Sequence, residues 1–357
     1  METKNIALPP STALVENTLY IAQRDIYALE ASSGTVKQSY AMQGVVSFTV
    51  ENNTLYVNVN NDVDHTVLVL RSDDGVSLWS YNVEGRLAGA PTVVGGVVYI
   101  SILEGIVYAL QASDGKMLWQ YTVDSGADVP SFLGPILSAP LVIAGEIVYV
   151  APQVNPPLEP LLYALQAKNG NLLWKAKLPE SPSSFPPIIK DDVIYISTYS
   201  TYIALHALDG SSLWQHEMPH KLCSSSVVVD GSIYVCLQSG KNVSFYALQA
   251  RDGILQWQNQ LRTDAIVTYA TTPVVTDNAI YIGADDSLMA LRTSDGATLW
   301  RSKTDGMSLS SPIVISGVMY VGANDGCIYA VRTSNGERLW KTCIGTSVTM
   351  HSSLSLK

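Results

Sequence analysis

Positive charge is scarce in this chain: 21 Lys and Arg stand against 31 Asp and Glu, a formal net charge of −10 over 357 residues. Phosphate backbones are gripped by an excess of basic side chains, so nucleic acid is not an expected partner. Charge of either sign is low, at 15% of residues, while hydrophobic residues reach 47%. That balance suits a well-packed globular protein and not a disordered one. No run of 18 apolar residues occurs, so no segment is expected to insert directly into a membrane. Met1 to Pro10 lacks the apolar core of a signal peptide. Two expectations follow: a cytoplasmic protein if the chain is complete, or an extracytoplasmic region of a larger membrane-anchored protein. Low charge and abundant Ser and Thr favour the second. The four cysteines, Cys223, Cys236, Cys327 and Cys343, form neither a CxxC nor an adjacent pair, which argues against a zinc or redox motif.

What the chain has in plenty is one phrase. Tyr108-Ala109-Leu110-Gln111-Ala112-Ser113-Asp114-Gly115-Lys116-Met117-Leu118-Trp119 is its clearest copy. All seven tryptophans (Trp79, Trp119, Trp174, Trp214, Trp257, Trp300 and Trp340) end such a phrase, and Gln38 takes the slot in the first copy. Four residues before each slot stands a glycine, preceded by Asp five times, by Asn twice and by Ser33 once. Asp-Gly and Asn-Gly tolerate positive φ, and the flanks are apolar or β-branched, so the phrase predicts a β-hairpin with a tight turn. A second hairpin precedes it, as in Ala90 to Val94, Gly95-Gly96 and Val97 to Ser101. Equivalent slots lie 41, 40, 55, 40, 43, 43 and 40 residues apart. A four-stranded unit of about 40 residues, repeated, is a propeller blade.

The sequence therefore predicts an all-β fold: a single eight-bladed β-propeller domain over 1–357, with four antiparallel strands, A to D, in each blade. The blades fall at about 11–40, 46–81, 90–121, 138–176, 185–216, 224–259, 271–302 and 310–342. A C-terminal closing strand at 349–356 is expected to dock on blade 1, with Ser11 to Val15 displaced or paired beside it. Each tryptophan is expected to be a structural staple between blades. Cys327 and Cys343 can oppose one another across the C–D hairpin of blade 8, close enough for a disulfide; two reduced thiols are the alternative.

Ala109, Gly115 and Trp119, and their copies, resemble the tryptophan-docking motif of PQQ-type repeat propellers, over about Ser11 to Trp340. That family holds quinoprotein alcohol and glucose dehydrogenases. It also holds non-enzymatic members, such as the outer-membrane assembly scaffold BamB and sensor domains attached to bacterial kinases. The family often has Asp two positions after the alanine; here Glu30, Arg71, Gln111, Gln166, His206, Gln249, Arg292 and Arg332 stand there. Quinoproteins of this kind carry a Cys-Cys pair and a tryptophan beneath the quinone, and this chain has no such pair and no spare tryptophan. The resemblance thus implies the non-enzymatic branch, with no cofactor and no catalytic residues. The expected function is a ligand- or protein-binding sensor or scaffold in a larger bacterial protein; the alternative is a minimal PQQ-dependent dehydrogenase.

Four other motifs stand outside the repeated phrase. His216-Glu217-Met218-Pro219-His220 fits the H-E-x-x-H metalloprotease pattern, but Pro219 breaks the helix that pattern needs, so a strand end and loop are expected. Asp191-Asp192 and Asp285-Asp286 read as an A–B turn and a solvated B–C turn. Asn58, Asn60, Asp62 and Asp64 alternate in the B–C loop of blade 2, and either hold calcium or form a plain polar loop.

Function on repeat scaffolds concentrates where the repeat is broken. The 55-residue interval holds two insertions, a D–A connection with Asp124, Asp128 and Phe132, and a B–C loop with Asn155, Leu158 and Glu159. Antiparallel order puts both on the same face as Asn60, Asp62 and Asp64. That face is the expected binding surface for a protein, peptide or small molecule, unless the two insertions simply pack on each other.

Overall fold

The computed structural model describes residues 12–22, 25–42, 44–61, 64–124, 134–239, 242–261, 270–276, 278–306 and 310–344. Its strands form eight antiparallel sheets in chain order. The fold is all-β, an eight-bladed β-propeller. The described strands fall into two compact units, one within residues 43–219 and one joining 1–42 to 220–357. The first holds blade 2 (β5, Val45–Glu51, to β8, Ser77–Val83), blade 3 (β9, Leu87–Val94, to β12, Met117–Thr122), blade 4 (β13, Val142–Ala144, to β16, Leu172–Lys177) and blade 5 (β17, Ile188–Lys190, to β20, Ser212–Glu217). The second holds blade 1 (β1, Thr12–Val15, to β4, Val36–Tyr40), blade 6 (β21, Lys221–Leu222, to β25, Leu255–Leu261), blade 7 (β26, Val274–Thr276, to β29, Thr298–Lys303) and blade 8 (β30, Ile313–Ile315, to β33, Arg338–Cys343).

Strand position dictates burial. The second strands read as near-continuous apolar runs, such as Val97–Ile102 and Ala279–Ala284, and are buried on both faces. The outer strands, such as Thr298–Lys303, alternate between exposed and half-buried residues. Each core therefore lies between consecutive sheets: Tyr99, Val107 and Trp119 of blade 3 meet Val148, Tyr163 and Leu165 of blade 4. Burial of one such aliphatic side chain stabilises by roughly 1.5–3 kcal/mol.

The inner strands are shorter than the sequence suggests. Pro140, Pro187, Pro273 and Pro312 stand at or near the start of strand A in blades 4, 5, 7 and 8. Proline has no N–H for the ladder. The regular part then shrinks to three residues, and in blades 4, 5 and 7 the chain ahead of it rejoins by single bridges, Ile136↔Gln153, Pro182↔Thr198 and Ala270↔Ala284. In blade 6 the inner strand splits into β21 and β22 (Val227–Val229), both paired to the same neighbour. In blade 1, Thr12–Val15 pairs with Thr18–Ala22 and holds the inner position. It is not displaced, and the tail at 349–356 lies outside the described residues.

The C–D turn is wider than a two-residue hairpin turn. In blade 3, Gly115 N–H donates to Gln111 O and Gln111 N–H to Lys116 O, which encloses four residues. Only the glycine of the Asp-Gly pair has positive φ, 74° at Gly115. The residue before it acts through its side chain: Asp114 Oδ1 accepts from Lys116 N–H at 3.1 Å, and Asn169 Oδ1 from Asn171 N–H at 3.0 Å. This Asx turn explains the preference for Asp and Asn. The arginines that replace the family's aspartate brace the same turn, Arg71 to Asp74 at 2.8 Å and Arg292 to Asp295 at 3.0 Å.

Five seams within the two units are each fastened by a lock. The indole N–H of Trp79 donates to Ala112 O of the next blade at 2.8 Å; Trp119 does the same to Ala167 O, Trp257 to Thr293 O, Trp300 to Thr333 O and Trp340 to Ala31 O. The ring covers the next blade's turn glycine, where a Cβ would lie 2.5 Å from Trp79 at Gly115 and 2.7 Å from Trp340 at Gly34. Gln38 occupies the equivalent register slot in blade 1, opposite Ala28 as Trp119 is opposite Ala109.

All four cysteines are paired. Cys223–Cys236 ties the start of blade 6 to its second strand, and Cys327–Cys343 joins directly opposed residues of the C–D hairpin in blade 8.

Candidate functional site

The broken part of the repeat builds a cross-linked rim on blades 4 and 5, at their B–C and D–A end. Its centre is Gln153, which sequence reasoning missed. Its backbone exchanges two hydrogen bonds with Ile136, both 2.9 Å, so the two insertions of blade 4 pair with each other. Its side-chain oxygen accepts from Ser138 Oγ at 2.9 Å, and its amide donates to Ser184 Oγ at 3.3 Å, which reaches into blade 5. Val154 N–H donates to Ser181 Oγ at 2.9 Å. Leu137 is buried in the core of blades 3 and 4 and anchors the D–A connection.

In blade 5 the B–C turn is held from below by Glu180. Its carboxylate accepts from Ser200 Oγ at 2.7 Å, Ser200 N–H at 2.9 Å and Thr198 Oγ1 at 3.0 Å. These donors, the Ser200 hydroxyl foremost, hold the Glu180 carboxyl below the usual carboxylate range. The turn presents Tyr199, 60% exposed. Ile136, 41% exposed, and the exposed Pro156-Pro157 pair, joined by a cis peptide bond, belong to the same end of the strands. A hydrogen-bonded framework thus displays apolar and aromatic surface with little freedom left to lose on binding.

The residues singled out by sequence divide into three groups. Asn155 is exposed, Leu158 is half-buried with its N–H on Asn155 O, and Glu159 pairs with Lys177 at 2.7 Å. Asp124 is exposed but engaged by Lys175, which also lies 5.2 Å from the centre of the Tyr163 ring. Asp305, Lys341 and Tyr329 repeat that arrangement in blades 7 and 8, so this clamp belongs to the scaffold. Asp128, Phe132 and Asp62 lie outside the described residues.

The placement of Asn58 and Asn60 in a blade 2 loop is corrected. Asn58 and Asn60 belong to strand β6 (Thr54–Asn60), not to the loop. Alternation puts both on one face of the strand. Asn58 Nδ2 donates to Gly89 O at 2.9 Å, while Asn60 both donates to Leu87 O at 2.9 Å and accepts from Leu87 N–H at 3.0 Å. Their amides fix the inner strand of blade 3. Asp64 is exposed beyond the strand, its N–H on Asn61 Oδ1 at 2.6 Å.

His216 and Glu217 end strand β20, and Met218 to His220 form the outgoing connection, as the proline suggested. Asp191 and Asp192 make the A–B turn of blade 5 with φ of 49° and 60°. Asp285 departs from the solvated turn expected of it. It is only 8% exposed, and its Oδ2 is buried without a hydrogen-bond partner. Burial, and then the charge of Asp286, push its carboxyl up.

The adjacent cysteines and spare tryptophan of quinoproteins are absent from the sequence. Among the described residues no group of three or more His, Cys, Asp or Glu could hold a metal ion. The described residues do not fit a quinone held with calcium.

Fold and lock define a β-propeller of the tryptophan-docking class. The chain belongs to the family of the outer membrane protein assembly factor BamB, whose sequence profile matches residues 3–155, 158–284 and 246–355. The BamB of Yersinia pestis is 25% identical over 74% of this chain and 66% of its own length, so the match spans just under two thirds of that relative. The crystal structure of BamB from Moraxella catarrhalis superposes with a TM-score of 0.69 at 16% identity, covering 89% of this chain and 95% of that one. A europium-containing methanol dehydrogenase shares the fold at a TM-score of 0.64 and 14% identity, over 85% of this chain and 79% of its own.

Proposed function

We propose that this chain is a non-catalytic scaffold in outer membrane protein assembly, working outside the cytoplasm and gripping a partner protein by the rim of blades 4 and 5. The observation that carries the reading is the pair of networks centred on Gln153 and Glu180, which hold Ile136, the Pro156-Pro157 segment and the Tyr199 turn on a fixed surface. Aromatic and apolar anchors on a preorganised support are what protein interfaces use as hot spots. Asn155 and Leu158 extend that surface; Asp124 and Glu159 serve as its charged border. The family and its named relatives supply the assembly role. The two disulfides support an oxidising compartment. The tryptophans with described seam contacts lie over the next blade's turn glycine, which supports a structural and not a catalytic use of them.

The test is complementation in a bacterium lacking its own family member, with outer membrane protein levels as the readout. The unaltered chain, exported to the periplasm, should restore them. Tyr199→Ser combined with Ile136→Ser should fail to restore them while melting as the unaltered protein does. Full restoration by the double variant would refute the rim as the binding surface.

A further inference from the structure

At the opposite end of the same unit, where the A–B and C–D turns lie, the seam between blades 4 and 5 opens into a cavity of about 730 Å³. Ile147 and Tyr149 of blade 4 and Ile189 and Leu208 of blade 5 supply apolar lining. The ionisable side chains of the lining, apart from that tyrosine, are Glu146, Asp192 and His206; neither lysine nor arginine lines it.

Three independent observations mark this seam. Leu208 stands two residues before the turn glycine, where the other seven copies carry Ser32, Asp73, Ser113, Lys168, Arg251, Ser294 and Ser334. It is 81% exposed. A scattered exposed leucine needs no explanation, but one that breaks a polar pattern at the edge of a cavity does. Second, Trp174 keeps its ring over Gly210 but its buried indole N–H has no partner. Ala207 O, the equivalent acceptor, takes the Tyr149 hydroxyl at 3.1 Å, as Ala167 O takes that of Tyr99 at 3.3 Å, but lacks the indole bond that Ala167 O also accepts. The lock is half made at the seam that holds the cavity. Third, Glu146 and Asp192 are both exposed, which gives an apolar pocket an acidic border.

We propose that this seam receives an extended segment of a partner protein, which inserts an apolar side chain beside Leu208 and sets a neighbouring lysine or arginine against Glu146 and Asp192. The cavity falls within the range of about 300–1,000 Å³ typical of ligand pockets, room for side chains and not for a folded element. Leu208 lines the mouth of the cavity with most of its side chain still exposed, apolar area which a peptide segment covers and an enclosed small molecule does not. The two carboxylates select a basic neighbour and disfavour an acidic one. This site is separate from the rim on blades 4 and 5 and stands or falls without it.

The experiment titrates the whole chain with two fluorescein-labelled pentapeptides, Lys-Phe-Lys-Leu-Lys and Glu-Phe-Glu-Leu-Glu, read by anisotropy. The basic peptide should saturate. Leu208→Ser should weaken it about tenfold, and so should the pair Glu146→Gln with Asp192→Asn. Tyr199→Ser, at the other end of the strands, should leave it unchanged, and the acidic peptide should not bind. The Glu146 and Asp192 variants lie on the surface and keep the test open if Leu208→Ser melts early. Absence of saturation, equal affinity across the seam variants, or equal binding of both peptides would overturn the proposal.

Discussion

The ring of Trp119 occupies the space where Gly170 would carry a side chain: a Cβ there would lie 2.6 Å from the indole, on a backbone with φ of +73°. Two costs meet at that position, the left-handed conformation and the collision. Gly95 has a similar φ of +59° but nothing within 4 Å of its Cβ site. Gly95→Ala should cost about 1–2 kcal/mol for the backbone alone. Gly170→Ala should cost about 1–3 kcal/mol more for overpacking. Denaturant unfolding of the two variants measures the difference, and equal losses would mean that the indole moves aside freely.

Both disulfides close short loops, of sequence separation 13 and 16. Loops of that size stabilise by about 3 kcal/mol through the unfolded chain. Alkylation under denaturing, non-reducing conditions should label none of the four cysteines. Prior reduction should expose all four and lower Tm. One labelled pair without reductant would show that its bridge does not form in solution.

Glu180 should make stability depend on acid. Its folded-state pKa is depressed by the Ser200 and Thr198 donors. The stabilisation is therefore complete above the unfolded value of roughly 4.3 and is lost as pH falls through the lower folded value. Glu180→Gln should lower Tm at pH 7, and the gap to the unaltered protein should be smaller at pH 3. A gap of the same size at both pH values would assign the loss to packing.

Asp285 should behave with the opposite sign. Its folded-state pKa is raised by burial and by Asp286. Ionisation is thus a penalty above the folded value, and the penalty disappears below the unfolded one. Asp285→Asn keeps a side chain tolerant of the φ of 52° found there and removes the buried charge. It should raise Tm at pH 7 and leave it unchanged near pH 3. A lower Tm at pH 7 would show that the carboxylate is used by the fold.

The blades were legible in the sequence because the repeated phrase answers to geometry that cannot be met otherwise. A glycine must lie under each docking ring, and Asp or Asn must complete the turn. The interruption of strand A was missed, although Pro140, Pro187, Pro273 and Pro312 carried its signal; its extent depends on how the chain rejoins strand B. The rim was legible only as a place, the long interval between Trp119 and Trp174. Thr198 and Ala284 take the bridging position of Gln153 in blades 5 and 7, so the repeat does not mark that glutamine; the roles of Gln153 and Glu180 arise from their side-chain partners. Tyr199 could have been noticed as an aromatic in a short polar turn. Asn58 and Asn60 misled because alternate residues read equally as ligands around a loop or as one face of a strand.

The indole of Trp340 donates to Ala31 O, 309 residues away along the chain. A chain made and exported from its N-terminus can finish blades 2 to 5 as each arrives, but blade 1 must wait for the last. Until Trp340 emerges, Leu19, Ile21 and Leu29 lack the cover that Ile313, Tyr320 and Ile328 give them in the finished fold. Non-local contacts of this kind come late, and exposed apolar strands invite aggregation meanwhile. A truncation that removes Trp340 therefore leaves the apolar face of blade 1 without its last fastening, and aggregation, not lost binding, is the first defect expected of it.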